Sequence, residues 1–313
     1  MIRLGLQIPN FTYSGVPDDQ LFERIAAQAV AAEESGFDSV WVMDHFYQLP
    51  MIGPSSNAML EAYSLLSALA ARTTKVSLGT LVTGVTYRYP AVLAKQVTTL
   101  DVISGGRAIL GIGAAWNQEE HDAYGIPFPA AGERLDRLED ALQICRAMFT
   151  RERATVEGTH SAVVDAMNNP RPIRPDGIPI LVGGGGEKRT LRLVAEYADA
   201  CNLFGGPDDV RHKLEVLAGH CEAVGRDPAD VTKTRLGSVA IGATHADAEA
   251  SLRAGGLEPA RASMYILGSP EEVTDQVGTL LETGLDGLIF NMAHTSDPDE
   301  IRLAGATLSP LLR

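Results

Sequence analysis

Two runs of this sequence carry residue types that could do chemistry. In PILVGGGGEKRT an apolar strand, Ile178 to Val182, runs into Gly183, Gly184, Gly185 and Gly186, with a helix expected from about Glu187. Glycines let backbone N–H groups approach a ligand, and a helix start adds unpaired N–H donors and a positive dipole end. The run therefore reads as an anion cradle, most simply for a phosphate. It lacks the GxxxxGK[ST] spacing of a P-loop, and it lies past mid-chain, where a dinucleotide-binding fold would not place its first glycine turn. A plain strand-to-helix turn would need only one or two glycines. In SVWVMDHF, Asp44 and His45 follow a second apolar strand. A carboxylate and an imidazole at such a place suit general acid–base chemistry. The plainer alternative is an Asp capping the next turn beside a surface His.

Other chemistries find no support. There is no HExxH and no close His/Cys cluster; His212 and His220 lie eight residues apart, beyond adjacent-turn ligand spacing. No metal site is expected. A GxSxG nucleophile elbow is absent, which argues against an α/β-hydrolase. The 313 residues carry 26 Lys plus Arg against 40 Asp plus Glu, a net charge of −14, so nucleic acid is not an expected partner. Cys145, Cys201 and Cys221 form no CxxC pair and no even framework, which suits a reduced, cytoplasmic protein. No signal peptide is expected from MIRLGLQIPNF, and no apolar run is long enough to span a membrane.

Strand and helix patterns alternate almost throughout. Strands are expected at Ile2 to Ile8, Ser39 to Met43, Lys75 to Thr83, Arg107 to Ile112, Ile178 to Val182, Asp199 to Leu203, Arg235 to Ile241 and Gly287 to Met292. Helices are expected between them, among them Asp18 to Ser35, Leu60 to Arg72, Pro90 to Ile103, Ala131 to Phe149, Glu187 to Tyr197 and Asp208 to Val224. A less regular helical region follows from Ala246 to Arg261, then a helix from Pro270 to Glu282 behind the capping box Ser269 to Glu272, and a last helix from about Pro298. The rhythm breaks only at 151–174, read as an insertion: a short extended segment and a Pro/Asn-rich loop after the fourth long helix. Eight short buried strands, each followed by helix, predict an α/β fold, a (β/α)8 TIM barrel forming one domain over residues 1–313.

In such a barrel, function lies at the C-terminal strand ends. Phe11 follows strand one. Asp44, His45 and Tyr47 follow strand two. Thr80, Leu81 and Val82 end strand three, with Tyr87 and Arg88 in the turn. Gly113, Trp116 and Asn117 follow strand four in GIGAAWN, a nearly side-chain-free wall with an aromatic and an amide at its rim. Phe204 follows strand six, and Asn291 and His294 close strand eight. A flat ring could stack on the GIGAAWN wall; ordinary small-residue packing would look the same.

Taken together, LGLQIPNF, GFDSVWVMDHF, the long run from VSLGTLV to HDAYG, NNPRPIRPDGIPILVGGGG and GLDGLIFNM resemble the bacterial luciferase-like family of flavin and deazaflavin oxidoreductases. Within it the chain is most similar to the branch that uses coenzyme F420, a 5-deazaflavin. The resemblance implies a hydride transfer between the deazaflavin and a small organic substrate. It implies His45 as the acid/base beside the reacting carbon and Asp44 at the pyrimidine side of the ring. It also implies a non-prolyl cis peptide at Leu81–Val82, near Thr80, behind the ring. Gly183 to Gly186 would hold the cofactor phosphate, with the Thr190 hydroxyl one turn on, and Gly113 and Asn117 would belong to the cofactor wall. FMN-dependent monooxygenases of the same family, using reduced flavin and O2, are the rival expectation. A barrel that lost its cofactor is a third.

There are departures from the branch. Leu49 stands where its sugar-phosphate dehydrogenase carries a Trp, and Gln7 where its pterin reductase carries a Glu. Trp116, Glu119 and Glu120 crowd the place of an acidic residue after strand four. Phe11, Tyr47, Tyr87, Trp116 and Phe204 would give an aromatic substrate pocket. With Arg88 the only cation among these positions, a neutral substrate is expected. Family members commonly pair through helices two and three, which makes Leu65, Leu66, Leu69, Val92 and Val97 candidates for a homodimer face.

Overall fold

The structure, a computed structural model, describes residues 2–256 and 264–312. Its strands are β1 (Leu4–Ile8), β2 (Ser39–Val42), β3 (Ser77–Thr80), β4 (Thr83–Gly84), β5 (Ala108–Gly113), β6 (Arg153–Glu157), β7 (Ala162–Met167), β8 (Ile180–Gly183), β9 (Ala200–Leu203), β10 (Thr232–Ile241), β11 (Tyr265–Gly268) and β12 (Gly287–Asn291). The helices are α1 (Leu21–Ser35), α2 (Ala62–Ala70), α3 (Pro90–Ser104), α4 (Gln118–Tyr124), α5 (Ala131–Thr150), α6 (Thr190–Tyr197), α7 (Pro207–Ala223), α8 (His245–Ala254), α9 (Pro270–Leu281) and α10 (Pro298–Leu308).

β1, β2, β3, β5, β8, β9, β10 and β12 pair in parallel in that order, and β12 returns to β1 with Leu4 opposite Leu288. This closes the expected (β/α)8 barrel. Its strands are almost wholly buried because side chains fill the inside and helices cover the outside. Ile2, Trp41, Ile109, Leu181 and Ile289 pack within the barrel. Trp41 is the bulkiest of these, and its neighbour Gly79 makes the room. A Cβ at Gly79 would lie 2.8 Å from the indole ring. The larger core lies between strands and helices. In α1, Leu21, Ile25, Ala29 and Ala32 recur at helical spacing and are buried.

Five expectations need correction. The third strand is not continuous from Lys75 to Thr83: it breaks at Leu81–Val82, and Thr83–Gly84 pairs separately with β5. The helix after the four glycines starts at Thr190 rather than Glu187, so the loop is longer than a tight turn. The stretch 151–174 contains an antiparallel hairpin, β6 with β7, largely exposed, where a single extended segment was expected. β11 and α4 were not foreseen. β11 pairs with Ser238–Ile241, where β10 runs on past the barrel. The helical region expected from Ala246 to Arg261 is α8 to Ala254, and its expected end lies outside the described residues.

Candidate functional site

A cleft of about 720 Å³ opens at the C-terminal strand ends. Inward side chains from several strands make its floor: Gln7 from β1, Asn202 from β9, Leu236 from β10 and Asn291 from β12, with Leu81 beyond β3. It brings together Asp44, His45, Leu81, Val82, Tyr87, Gly113, Trp116, the four glycines, Thr190 and Phe204. Four other expected residues do not line it. Thr80 is buried and bonds Thr83 Oγ1 and the Gly111 carbonyl. Asn117 is the residue before α4, where its carbonyl bonds His121. Phe11 is wholly buried in the core between strands and helices. Tyr47 packs edge-on against Tyr124.

One wall is the Leu81–Val82 peptide, which is cis. Gln7 Nε2 donates to the Leu81 carbonyl at 3.1 Å. The Val82 side chain sits between two glycines: a Cβ on either Gly113 or Gly183 would lie 2.9 Å from one of its methyls. Both glycines are thus required by packing inside the chain, whatever ligand they meet. Gly184 donates its N–H to the Asn202 carbonyl at 3.1 Å. The N–H groups of Gly185 and Gly186 have no acceptor among the described residues. Thr190 Oγ1 lies 2.8 Å from where a Gly186 Cβ would be, and the Lys213 stem lies beside Gly185. Two unpaired amides, a hydroxyl and a nearby ammonium, itself bonded to Glu187, fit an anionic group. Of four glycines, one serves packing, one donates a backbone bond, and two line the cleft with N–H groups that have no acceptor among the described residues.

Asp44 lines the cleft and is buried. Arg88 donates Nη1 to Asp44 Oδ2 at 2.6 Å and Nη2 to Oδ1 at 3.0 Å. Arg88 also reaches Glu61 at 2.7 Å and lies over the Tyr63 ring. It is therefore the counter-ion of a buried carboxylate and not a loose cation at the rim. Burial pushes the Asp44 carboxyl up, and Arg88 only partly offsets this.

His45 is held by a residue that sequence reasoning did not choose. Its Nδ1 lies 2.8 Å from Oε2 of Glu120, a fully buried residue in the first turn of α4. Glu120 Oε1 accepts the backbone N–H groups of Phe46 at 2.6 Å and Tyr47 at 2.9 Å. Tyr87 donates its hydroxyl to Oε2 at 2.6 Å. Burial opposes ionisation of Glu120, but the bonds from His45, Tyr87 and the Tyr47 amide outweigh it and hold the carboxyl below its usual range. Of Glu119 and Glu120, it is Glu120 that meets His45. The Trp116 ring stands edge-on to His45, centroids 5.6 Å apart.

The outer cleft is apolar. Trp116 and Phe204 are each 58% exposed, and Met51, Ile52, Leu49 and Met264 continue the surface. No Lys or Arg is among the described lining residues. Elsewhere among the described residues, no group of three or more His, Cys, Asp or Glu could hold a metal, and no helix is long and apolar enough to cross a membrane. Of the positions expected at a dimer face, Leu65, Leu66, Leu69 and Val97 are buried within the chain, and only Val92 is exposed.

Comparison with known proteins agrees with the fold. The luciferase-like monooxygenase family model matches residues 2–261. An F420-dependent glucose-6-phosphate dehydrogenase of Kineococcus radiotolerans is 41% identical over 216 residues, 67% of this chain and 62% of that protein. One of Microbacterium testaceum is 31% identical over 91% of each chain. The matches span 62%, 50% and 48% of the first three curated relatives, so the chain corresponds to about half of their length. In three dimensions, the coenzyme F420-dependent tetrahydromethanopterin reductase of Methanopyrus kandleri superposes with a TM-score of 0.81 at 20% identity, over 100% of this chain and 99% of its own.

Proposed function

We propose, for a chain that belongs to the luciferase-like monooxygenase family, an oxidoreductase that uses coenzyme F420 and moves a hydride between the deazaflavin and a small, neutral organic substrate. The observation that carries this is the placement of His45. It borders an apolar cleft, one ring nitrogen committed to a buried carboxylate, and the same cleft is lined by Gly185 and Gly186, whose N–H groups have no acceptor among the described residues and suit a phosphate.

When bound, the deazaflavin supplies the two-electron centre, and the protein supplies position and a proton. Gly185, Gly186 and Thr190 would hold the phosphate, and Gly113 with the Leu81–Val82 peptide would form the wall available to the ring. His45 takes the proton from a substrate hydroxyl during oxidation, or returns it to a carbonyl or imine during reduction. Trp116 and Phe204, both largely exposed at the mouth of the cleft, would line the substrate side.

The absence of Lys and Arg from the described lining favours an uncharged substrate: an alcohol, ketone, enone or imine. A multiply charged sugar phosphate would be desolvated against Met51, Ile52 and Phe204, with no Lys or Arg among the described lining residues to receive it. A fluorescence titration with F420 and FMN tests the cofactor, and a screen of neutral carbonyls and alcohols against sugar phosphates tests the substrate. Saturable F420 binding with turnover of neutral compounds is expected; tight FMN binding without an F420 response would overturn the reading. The same reading includes a homodimer through helices two and three, of whose candidate positions Val92 on α3 is the exposed one. A monomer mass by light scattering would remove that part.

A further inference from the structure

We infer that Glu120 is a positioning residue that fixes His45 as its Nδ1–H tautomer, so that Nε2 is the atom that exchanges the substrate proton.

The inference begins with what each oxygen of Glu120 can be. Oε1 receives two backbone N–H groups, from Phe46 and Tyr47, and a backbone amide can only donate. Oε1 is therefore an acceptor with no proton of its own. Oε2 receives the Tyr87 hydroxyl at 2.6 Å and faces His45 Nδ1 at 2.8 Å. Three donors other than the imidazole, the two amides and the Tyr87 hydroxyl, close on this one buried group, which is held below the usual carboxyl range and so ionised. An ionised carboxylate has no proton to give, so Nδ1 must carry the hydrogen. A neutral imidazole with its hydrogen on Nδ1 has its lone pair on Nε2. Nε2 has no partner among the described residues, and the ring borders the cleft.

The same bond serves the charged state. When Nε2 takes a proton, the imidazolium lies 2.8 Å from a buried carboxylate that stabilises it. The two amides pin Glu120 to the turn that carries His45, so ring and carboxylate cannot drift apart independently. Tyr87 holds Oε2 from the other side. The catalytic use of Nε2 rests on the proposed function; the tautomer does not.

The shape-conserving variant Glu120→Gln is the test. Its amide oxygen can still accept from Phe46 and Tyr47, but its NH2 then faces Nδ1. Nδ1 must become the acceptor, and the hydrogen moves to Nε2. Long-range 1H–15N spectra of 15N-histidine protein report the tautomer directly, with His45→Asn to assign the signal. The expected result is Nδ1–H for His45 in the parent and Nε2–H in Glu120→Gln. Tyr87→Phe, which removes a donor and leaves the carboxylate, should keep Nδ1–H. F420 affinity should be unchanged in Glu120→Gln. A parent signal of Nε2–H, or a variant that keeps Nδ1–H, would overturn the assignment. Should the parent bind no F420 yet show Nδ1–H, the proposed function fails and the tautomer assignment stands.

Discussion

Arg88 closes two guanidinium nitrogens onto the buried carboxylate of Asp44, at 2.6 and 3.0 Å, and reaches Glu61 with one of them. The pair joins the end of β2 to the turn before α3 at the mouth of the cleft. Removing one partner leaves the other buried and uncompensated. Arg88→Met should therefore cost on the order of 3 kcal/mol of stability in a denaturant titration. Asp44→Asn combined with Arg88→Met should cost less than the two single changes added together. Strict additivity would show that the pair is not coupled.

His45 and the glycine loop should separate chemistry from binding. His45→Ala is expected to bind F420 as the parent does and to lose turnover by about 10²–10⁴-fold, the usual scale of general acid–base catalysis. Fluorescence titration gives the first quantity and steady-state assay of a neutral substrate the second. Parent-like turnover would remove the acid–base role from His45.

Two glycines 3 residues apart, Gly183 at the end of β8 and Gly186 in the loop after it, should behave differently. At Gly183 an added Cβ would lie 2.9 and 3.0 Å from the two methyls of Val82, which cannot yield without moving the Leu81–Val82 wall. Gly183→Ala should destabilise the fold by roughly 1–3 kcal/mol through overpacking. At Gly186 the added atom meets the Thr190 hydroxyl at 2.8 Å, a group that can turn away. Gly186→Ala should leave stability near the parent and weaken F420 by about tenfold, the worth of a lost hydrogen bond to a charged group. Paired melting and titration curves for the two variants decide it. Equal effects on both would mean the loop acts as a single packing unit.

The barrel and most of the cleft lining were legible because barrel geometry sends strand-end residues to one place, so Asp44, His45, Trp116 and the glycines meet although up to 142 residues separate them. What joins them by hydrogen bonds was not legible. Glu120 sits in a seven-residue helix, QEEHDAY, with too few apolar residues to show a period, and its partner His45 is 75 positions away. Arg88 and Asp44 are 44 positions apart, and no local pattern links them. β11 escaped because four residues added to the overhang of β10 leave no signal beyond a short apolar run. Phe11 and Tyr47 were expected at the cleft from position alone; packing takes one into the core and the other against Tyr124.

The three thiols should be silent in the native protein. Burial pushes Cys145 and Cys201 up to about 12 and also raises Cys221. The thiolate is the reactive form, so little of it exists near neutral pH. A disulfide reagent should find no fast-reacting thiol in the folded chain and three once denaturant is added. Fast reaction of one equivalent before unfolding would show local opening around that cysteine.

Glu120 should also mark the acid limb of stability. Its folded carboxyl is held below the ordinary range, whereas in the unfolded chain it titrates near ~4.3. A group depressed on folding contributes stability that is fully present above the unfolded value and is lost as pH falls through the folded value. Asp44 has the opposite sign, because its folded value is raised and its contribution diminishes as pH rises. Parent unfolding curves alone mix these terms with those of Glu33 and Glu61, both also depressed. The difference between the parent and Glu120→Gln isolates one of them. That difference should favour the parent and be largest and constant above about pH 5, then shrink as acid is added. A gap that stays constant down to strongly acidic pH would mean that the carboxylate charge contributes nothing, and that only the shape of the side chain holds the turn carrying His45.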